Sequence, residues 1–225
     1  MKKTLLGSLL CLTLLALCAT GLAADKAHHP QYGATVVPGN VRPMVSPDAG
    51  QQAIFSNLGS RTDAYDATNG YFVSGINNQF NFQKQDIAIP FKASKNALVM
   101  RVSFALQYFG FGVNGATVAI FDDAGFQPGT LLAKRQLSNF DDFGVGCCVL
   151  KDWKLATPLA ITQVQRYWVV GSTEFPTQDS INTWDFKWDD SPGTFSFQQN
   201  DGGWLLLTAA NGYAPPAVAV WGIPQ

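Results

Sequence analysis

Twelve residues in the middle of the chain alternate without interruption between two faces. Over residues 97–108, Leu98, Met100, Val102, Phe104, Leu106 and Tyr108 fall on one side, and Val99, Arg101, Ser103, Ala105 and Gln107 fall on the other. A period of two marks an extended strand with two different faces. No stretch outside the N-terminus has the 3.6-residue period of a helix. The sequence therefore has to build its core from sheets.

Shorter segments repeat the pattern. Residues 116–121 read as a buried strand, and 130–137 as its return after a turn containing Gly125 and Pro128-Gly129. Further runs lie at 54–55, 71–73, 87–91, 166–173, 194–198, 204–208 and 217–221. A run at 183–188 sets Trp184, Phe186 and Trp188 against Asp185 and Lys187. Some ten strands with turn signals every 8–12 residues predict an all-β fold. Two packed antiparallel sheets, a sandwich of jelly-roll type, are the natural way to bury such strands. No internal repeat of fixed period is present.

The N-terminus has a different logic. Lys2 and Lys3 precede an apolar run from Leu5 to Leu17, and Gly21-Leu22-Ala23 follows with small residues at the spacing a signal peptidase requires. This is the three-part export signal, with cleavage expected after Ala23 or Ala24. The run is too short to span a bilayer, which takes about 20 residues. Cys18 suggests a lipoprotein signal, but the bulky Leu17 before it argues against that reading. Residues 1–23 are thus assigned to a signal peptide. Residues 24–52, with Pro30, Pro38, Pro43 and Pro47, form a leader. Residues 53–225 form the β-sandwich domain. The expected location is secreted, extracellular or periplasmic, with no membrane span after signal removal.

Charge narrows the partners. Losing Lys2 and Lys3 from 15 basic residues leaves 13 against 16 acidic ones, a net of about −3. With no basic stripe, nucleic acid is not an expected partner. Only 14% of residues are charged, whereas the uncharged polar residues are plentiful. That balance fits an extracellular β-protein with uncharged polar faces, and a polysaccharide or another surface polymer is the candidate partner. The aromatic residues raise the same idea, because a surface tryptophan offers a flat apolar face with a polar edge. Trp184, Trp188 and Trp204 are the candidate ligand-binding residues. Core packing is the alternative for each. Trp204 is the best candidate for exposure, since it lies on the face opposite Leu205 and Leu207 and follows the turn Asp201-Gly202-Gly203.

The catalytic groups are sparse. A serine or cysteine nucleophile needs a base, and the two histidines, His28 and His29, lie in the leader. The one glutamate, Glu174, has no local motif around it and is read as structural. Asp122-Asp123, Asp141-Asp142 and Asp189-Asp190 are carboxylate pairs at expected turns. Calcium takes six to eight oxygen ligands from such loops. Asp122 and Asp123 form the best candidate calcium site, against the simpler reading that aspartate favours turns. No other cofactor is indicated. The chain is expected not to be an enzyme; a hydrolase is the remote alternative.

Cys147 and Cys148 are the only cysteines beyond the signal. Adjacent thiols in an oxidising compartment are expected to form a disulfide. Adjacent Cα atoms lie about 3.8 Å apart, closer than the usual disulfide range, so the bridge would be strained and would enclose almost no chain. It would fix one local turn. A reduced or intermolecularly paired couple is the alternative; a metal site would need more soft ligands, and the two histidines lie far away in the leader.

Several of these segments together resemble the secreted bacterial β-sandwich domains called choice-of-anchor domains, which occur in proteins with exosortase sorting tails. The similarity covers roughly residues 54–222. It rests on Asn57-Leu58-Gly59, the strand from Leu98 to Leu106, and Val118-Ala119-Ile120-Phe121-Asp122-Asp123 leading into Pro128-Gly129-Thr130-Leu131-Leu132. Phe143-Gly144-Val145-Gly146-Cys147-Cys148 and Arg166-Tyr167-Trp168-Val169-Val170 complete it. The resemblance implies an exported surface or matrix protein of unsettled biochemical role. The export signal, the β-pattern and the missing catalytic groups point to a non-catalytic protein with a structural or adhesive role, and a carbohydrate-binding module is the alternative. The chain ends Trp221-Gly222-Ile223-Pro224-Gln225, without the sorting tail, so release from the cell is the expectation.

Overall fold

The computed structural model describes residues 48–60, 63–144 and 149–225. The signal peptide, most of the leader and the Cys147–Cys148 pair lie outside the described residues. Thirteen strands are seen: β1 (Gln52–Ser56), β2 (Tyr65–Ser74), β3 (Gln85–Lys92), β4 (Ala97–Phe104), β5 (Leu106–Phe111), β6 (Gly115–Asp123), β7 (Pro128–Ser138), β8 (Lys151–Ile161), β9 (Arg166–Ser172), β10 (Ile181–Lys187), β11 (Phe195–Gln199), β12 (Leu205–Leu207) and β13 (Val218–Pro224). Among the described residues the one helical turn is a 3-10 segment at Ala209–Asn211. The fold is all-β, as the alternation predicts.

The strands form two antiparallel sheets. The smaller has the order β1-β13-β4-β8. The larger runs β5-β10-β2-β3-β9-β6-β7, with β11 pairing β3 and β12. One face of each sheet meets the other in a single core. Val99, Val102 and Phe104 come from β4, Val218 and Val220 from β13, and Ile87, Ile89, Val118, Ile120, Val169, Phe195 and Phe197 from the larger sheet. Pro90 has no N–H to give. It falls in the half of β3 that pairs with β9 on one side and is beyond the reach of β11 on the other, the strand position that suits proline.

The twelve-residue alternation is not one strand. It is two, and the chain changes sheets between them. β4 ends at Phe104 in the smaller sheet, and β5 begins at Leu106 in the larger one. The predicted face also shifts. Met100 is an extra residue in β4, because Arg101 pairs with Trp221 while Val99 pairs with the next residue, Gly222. Such a bulge moves the side chains before it to the opposite face. The inward residues are therefore Ala97, Val99, Val102 and Phe104, and Leu98 and Met100 are only half-buried.

The crossing at Ala105 is tightly tied. The Ala105 N–H donates to the Ala217 carbonyl at 3.3 Å, and the Asp185 N–H donates to the Ala105 carbonyl at 2.9 Å. The Ala217 N–H donates to the Asp185 carbonyl at 2.8 Å. Ala105, Ala217 and Tyr65 pack together there in a small apolar cluster of their own.

Candidate functional site

The outer face of the larger sheet contains a groove of about 260 Å³. Its floor follows from strand register. Ser196 of β11 pairs with Ala88 of β3, Ala88 with Val170 of β9, Val170 with Ala119 of β6, and Ala119 with Lys134 of β7. Alanine, serine and valine leave a shallow row between taller neighbours. On one side of that row Gln198 pairs with Asp86. On the other, Phe121 pairs with Trp168 and Leu131. Trp204 stands at the margin, half-buried, packed on the patch formed by Ala88, Trp168 and Val170.

The polar lining consists of Asp86, Lys134, Ser172, Glu174 and Gln198. Asp86 is only 7% exposed. One of its oxygens, Oδ1, has no hydrogen-bond partner. The other lies 3.6 Å from the Lys84 ammonium. Burial pushes the Asp86 carboxyl up to about 6, against the opposing pull of Lys84. Burial acts to lower Lys84, but Asp201 and Asp86 outweigh it and raise the ammonium. Glu174 is half-exposed and accepts from Lys134 Nζ at 2.9 Å. A second cleft of about 300 Å³ opens between β7 and β8, but it has no carboxylate, and its tryptophan, Trp153, is buried in the core.

The structure separates the three candidate tryptophans. Trp204 borders the groove. Trp184 has no surface to offer a ligand: it is completely buried between the sheets, and its indole N–H donates to the Ala217 carbonyl. The alternation that grouped it with Trp188 ends at Lys187. Trp188 follows β10, 47% exposed, and packs by Gly59 away from the groove.

Asp122 and Asp123 do lie at a turn, between β6 and β7. Asp122 Oδ1 accepts the Thr130 N–H. Asp123 accepts the Trp168 indole N–H at 2.8 Å and the Phe126 N–H at 3.3 Å, and lies 3.6 Å from Arg166. These bonds hold the turn and face Trp168 toward it. Among the described residues no three His, Cys, Asp or Glu side chains gather to hold a metal ion. Asp189 is held by Lys187 at 3.0 Å and by Ser191. Asp141 and Asp142 lie beside β5, where the Asp141 carbonyl accepts the Tyr108 N–H.

Asp86, Lys134, Ser172 and Gln198 escape a reading of local sequence. The alternation of β3 sets Asp86 and Ala88 opposite Ile87 and Ile89, which is the one available hint. That Asp86, Glu174 and Trp204 meet depends on strands distant in the chain. A cluster of phenylalanines on the same sheet, near β5, also went unseen: Phe80 lies 4.4 Å from Phe111 and 5.4 Å from Phe82, and Phe82 lies 5.0 Å from Phe72.

No family model, curated protein or solved structure matches this chain. Among the described residues no helix is long and apolar enough to cross a membrane.

Proposed function

We propose that this chain is an exported, non-catalytic β-sandwich with an adhesive role, which holds a polysaccharide in the groove bordered by Trp204. The observation that supports this reading is the groove itself: a half-buried indole beside buried and exposed hydrogen-bonding groups on a sheet face. A sugar ring has apolar faces and a hydroxyl rim. It suits an aromatic surface next to carboxylate and amide groups. The resemblance to choice-of-anchor domains bears on the exported, surface-associated part of this reading alone. Affinity electrophoresis against a panel of soluble polysaccharides tests it. Retardation by at least one polymer is expected, with loss of retardation in Trp204→Ala and an unchanged circular dichroism spectrum. No retardation by any polymer, or full binding by the variant, refutes the reading. Turnover of a polysaccharide would overturn its non-catalytic part.

The export signal belongs to the same proposal. N-terminal sequencing of the secreted protein is expected to begin at Ala24 or Asp25. The Cys147–Cys148 disulfide is proposed with it, on the grounds of an oxidising destination and no other cysteine beyond the signal. Mass spectrometry of the unreduced protein is expected to show a monomer two hydrogens lighter than the dithiol. Two free thiols, or a covalent dimer, would refute the bridge.

A further inference from the structure

Three features of the groove share one chemical preference. Asp86 Oδ1 is a buried acceptor with no donor. An acceptor held out of water without a partner is costly, so a ligand that brings a donor to it gains more than one meeting a solvated group. The charges around the groove are also unbalanced. Asp86, Glu174 and Asp201 are three carboxylates. Lys84 serves both Asp86 and Asp201, and Lys134 serves Glu174. Three acids share two cations. Finally, the face of an indole attracts cations more strongly than any other side-chain ring, and Trp204 borders the same groove.

We propose that the groove selects a sugar bearing a protonated amino group, with Asp86 as the specificity-determining residue that accepts from the ammonium. The proposal rests on the polysaccharide reading above and narrows it to one class of polymer. A uronic acid or sulfated sugar would bring a second negative charge to Asp86 and is rejected. An N-acetylated amino sugar has the same ring and lacks the charge, so it isolates the ammonium from the rest of the molecule.

The decisive comparison is calorimetric titration of the native protein, at a pH above about 6 where Asp86 is ionised and the amine is still protonated, with a glucosamine oligosaccharide and its fully N-acetylated counterpart. The free amine is expected to bind about tenfold more tightly, the size of one favourable charge contact. Asp86→Asn keeps the shape and removes the charge, and is expected to bring the two affinities together. Trp204→Ala is expected to abolish both. Equal affinities in the native protein overturn the proposal without help from any variant. So does a preference that survives in Asp86→Asn. Binding of a neutral glucan with none of the glucosamine oligosaccharide overturns the amino-sugar inference and leaves the polysaccharide reading standing. Absence of binding to any polymer overturns both.

Discussion

The indole N–H of Trp184 donates to the carbonyl of Ala217 at 2.9 Å. Trp184 belongs to the larger sheet, and Ala217 leads into the last strand of the smaller one. The bond joins the two sheets at the place where the chain crosses between them. Trp184→Phe keeps most of the ring and loses this donor. The expected cost is about 2 kcal/mol, from a lost buried hydrogen bond and the space left by the smaller ring. Urea unfolding followed by circular dichroism measures it, and a change under about 0.5 kcal/mol would remove the bond from any account of stability.

Gly171 provides the floor on which that indole rests. A Cβ placed there would sit 2.7 Å from Trp184 Cζ3 and 2.9 Å from Cε3. β9 is paired with β3 on one side and β6 on the other, and the ring is fully buried. Gly171→Ala is expected to destabilise by about 1–3 kcal/mol through overpacking. An alanine tolerated without loss in thermal unfolding would mean that the ring moves aside freely.

Arg101 is 2% exposed and lies 5.3 Å from the Trp221 ring centroid. Its Nη1 meets Asp152 at 3.3 Å, while Nε and Nη2 have no hydrogen-bond partner. Removing Asp152 alone leaves a buried cation with only the Trp221 ring and the more distant, exposed Asp48 to balance it. Asp152→Ala is expected to cost about 3 kcal/mol, the lower end for a broken buried pair because Asp152 is partly solvated. Arg101→Met in that background is expected to recover at least half of the loss. Chemical denaturation of the double variant below the single one would contradict the charge-burial explanation.

Two buried carboxyls make stability depend on pH. Asp185 is completely buried, both its oxygens lack hydrogen-bond partners, and burial raises it well above the ordinary carboxyl range, with nearby Asp66 adding to the effect. Asp86 is raised to about 6. A raised carboxyl binds its proton more tightly when folded than when unfolded. Stability from it is complete below about pH 4, where the unfolded chain also holds the proton, and falls as pH rises. For Asp86 the fall ends near 6, and it amounts to about 3 kcal/mol. For Asp185 it continues to higher pH. Unfolding free energies measured between pH 4 and 7 are expected to decline. The decline is expected to shrink between 4 and 6 in Asp86→Asn, and throughout in Asp185→Asn. A flat profile in the native chain would contradict the burial of both groups.

The sequence made the strands legible where one face is apolar. β6, β9 and β13 read as strands because their inward residues are apolar: Val118 and Ile120, Tyr167 and Val169, and Val218 and Val220. β8 was not legible. It is a sheet-edge strand with lysines at 151 and 154 and a proline at 158, and only Trp153, Leu155 and Ile161 are buried. The change of sheet at Ala105 was hidden for another reason. β4 and β5 continue one alternation through a single residue, and periodicity records which face is buried without recording which sheet it belongs to. Trp204 was identifiable from its position after the turn at 201–203. Asp86 was not, because its significance comes from a missing partner, and absence of a partner has no local signature.

The crossing at Ala105 also decides how the domain can come apart. With one residue between β4 and β5, and Ala105, Asp185 and Ala217 bonded in a closed circuit, neither sheet can peel away while the other stands. A force applied at the chain ends meets these backbone bonds at the crossing, which tie the inner strands β4 and β13 of the smaller sheet to the edge pair β5 and β10 of the larger one. The two sheets are coupled at this end of the sandwich, so parting them there breaks backbone bonds of both layers at once.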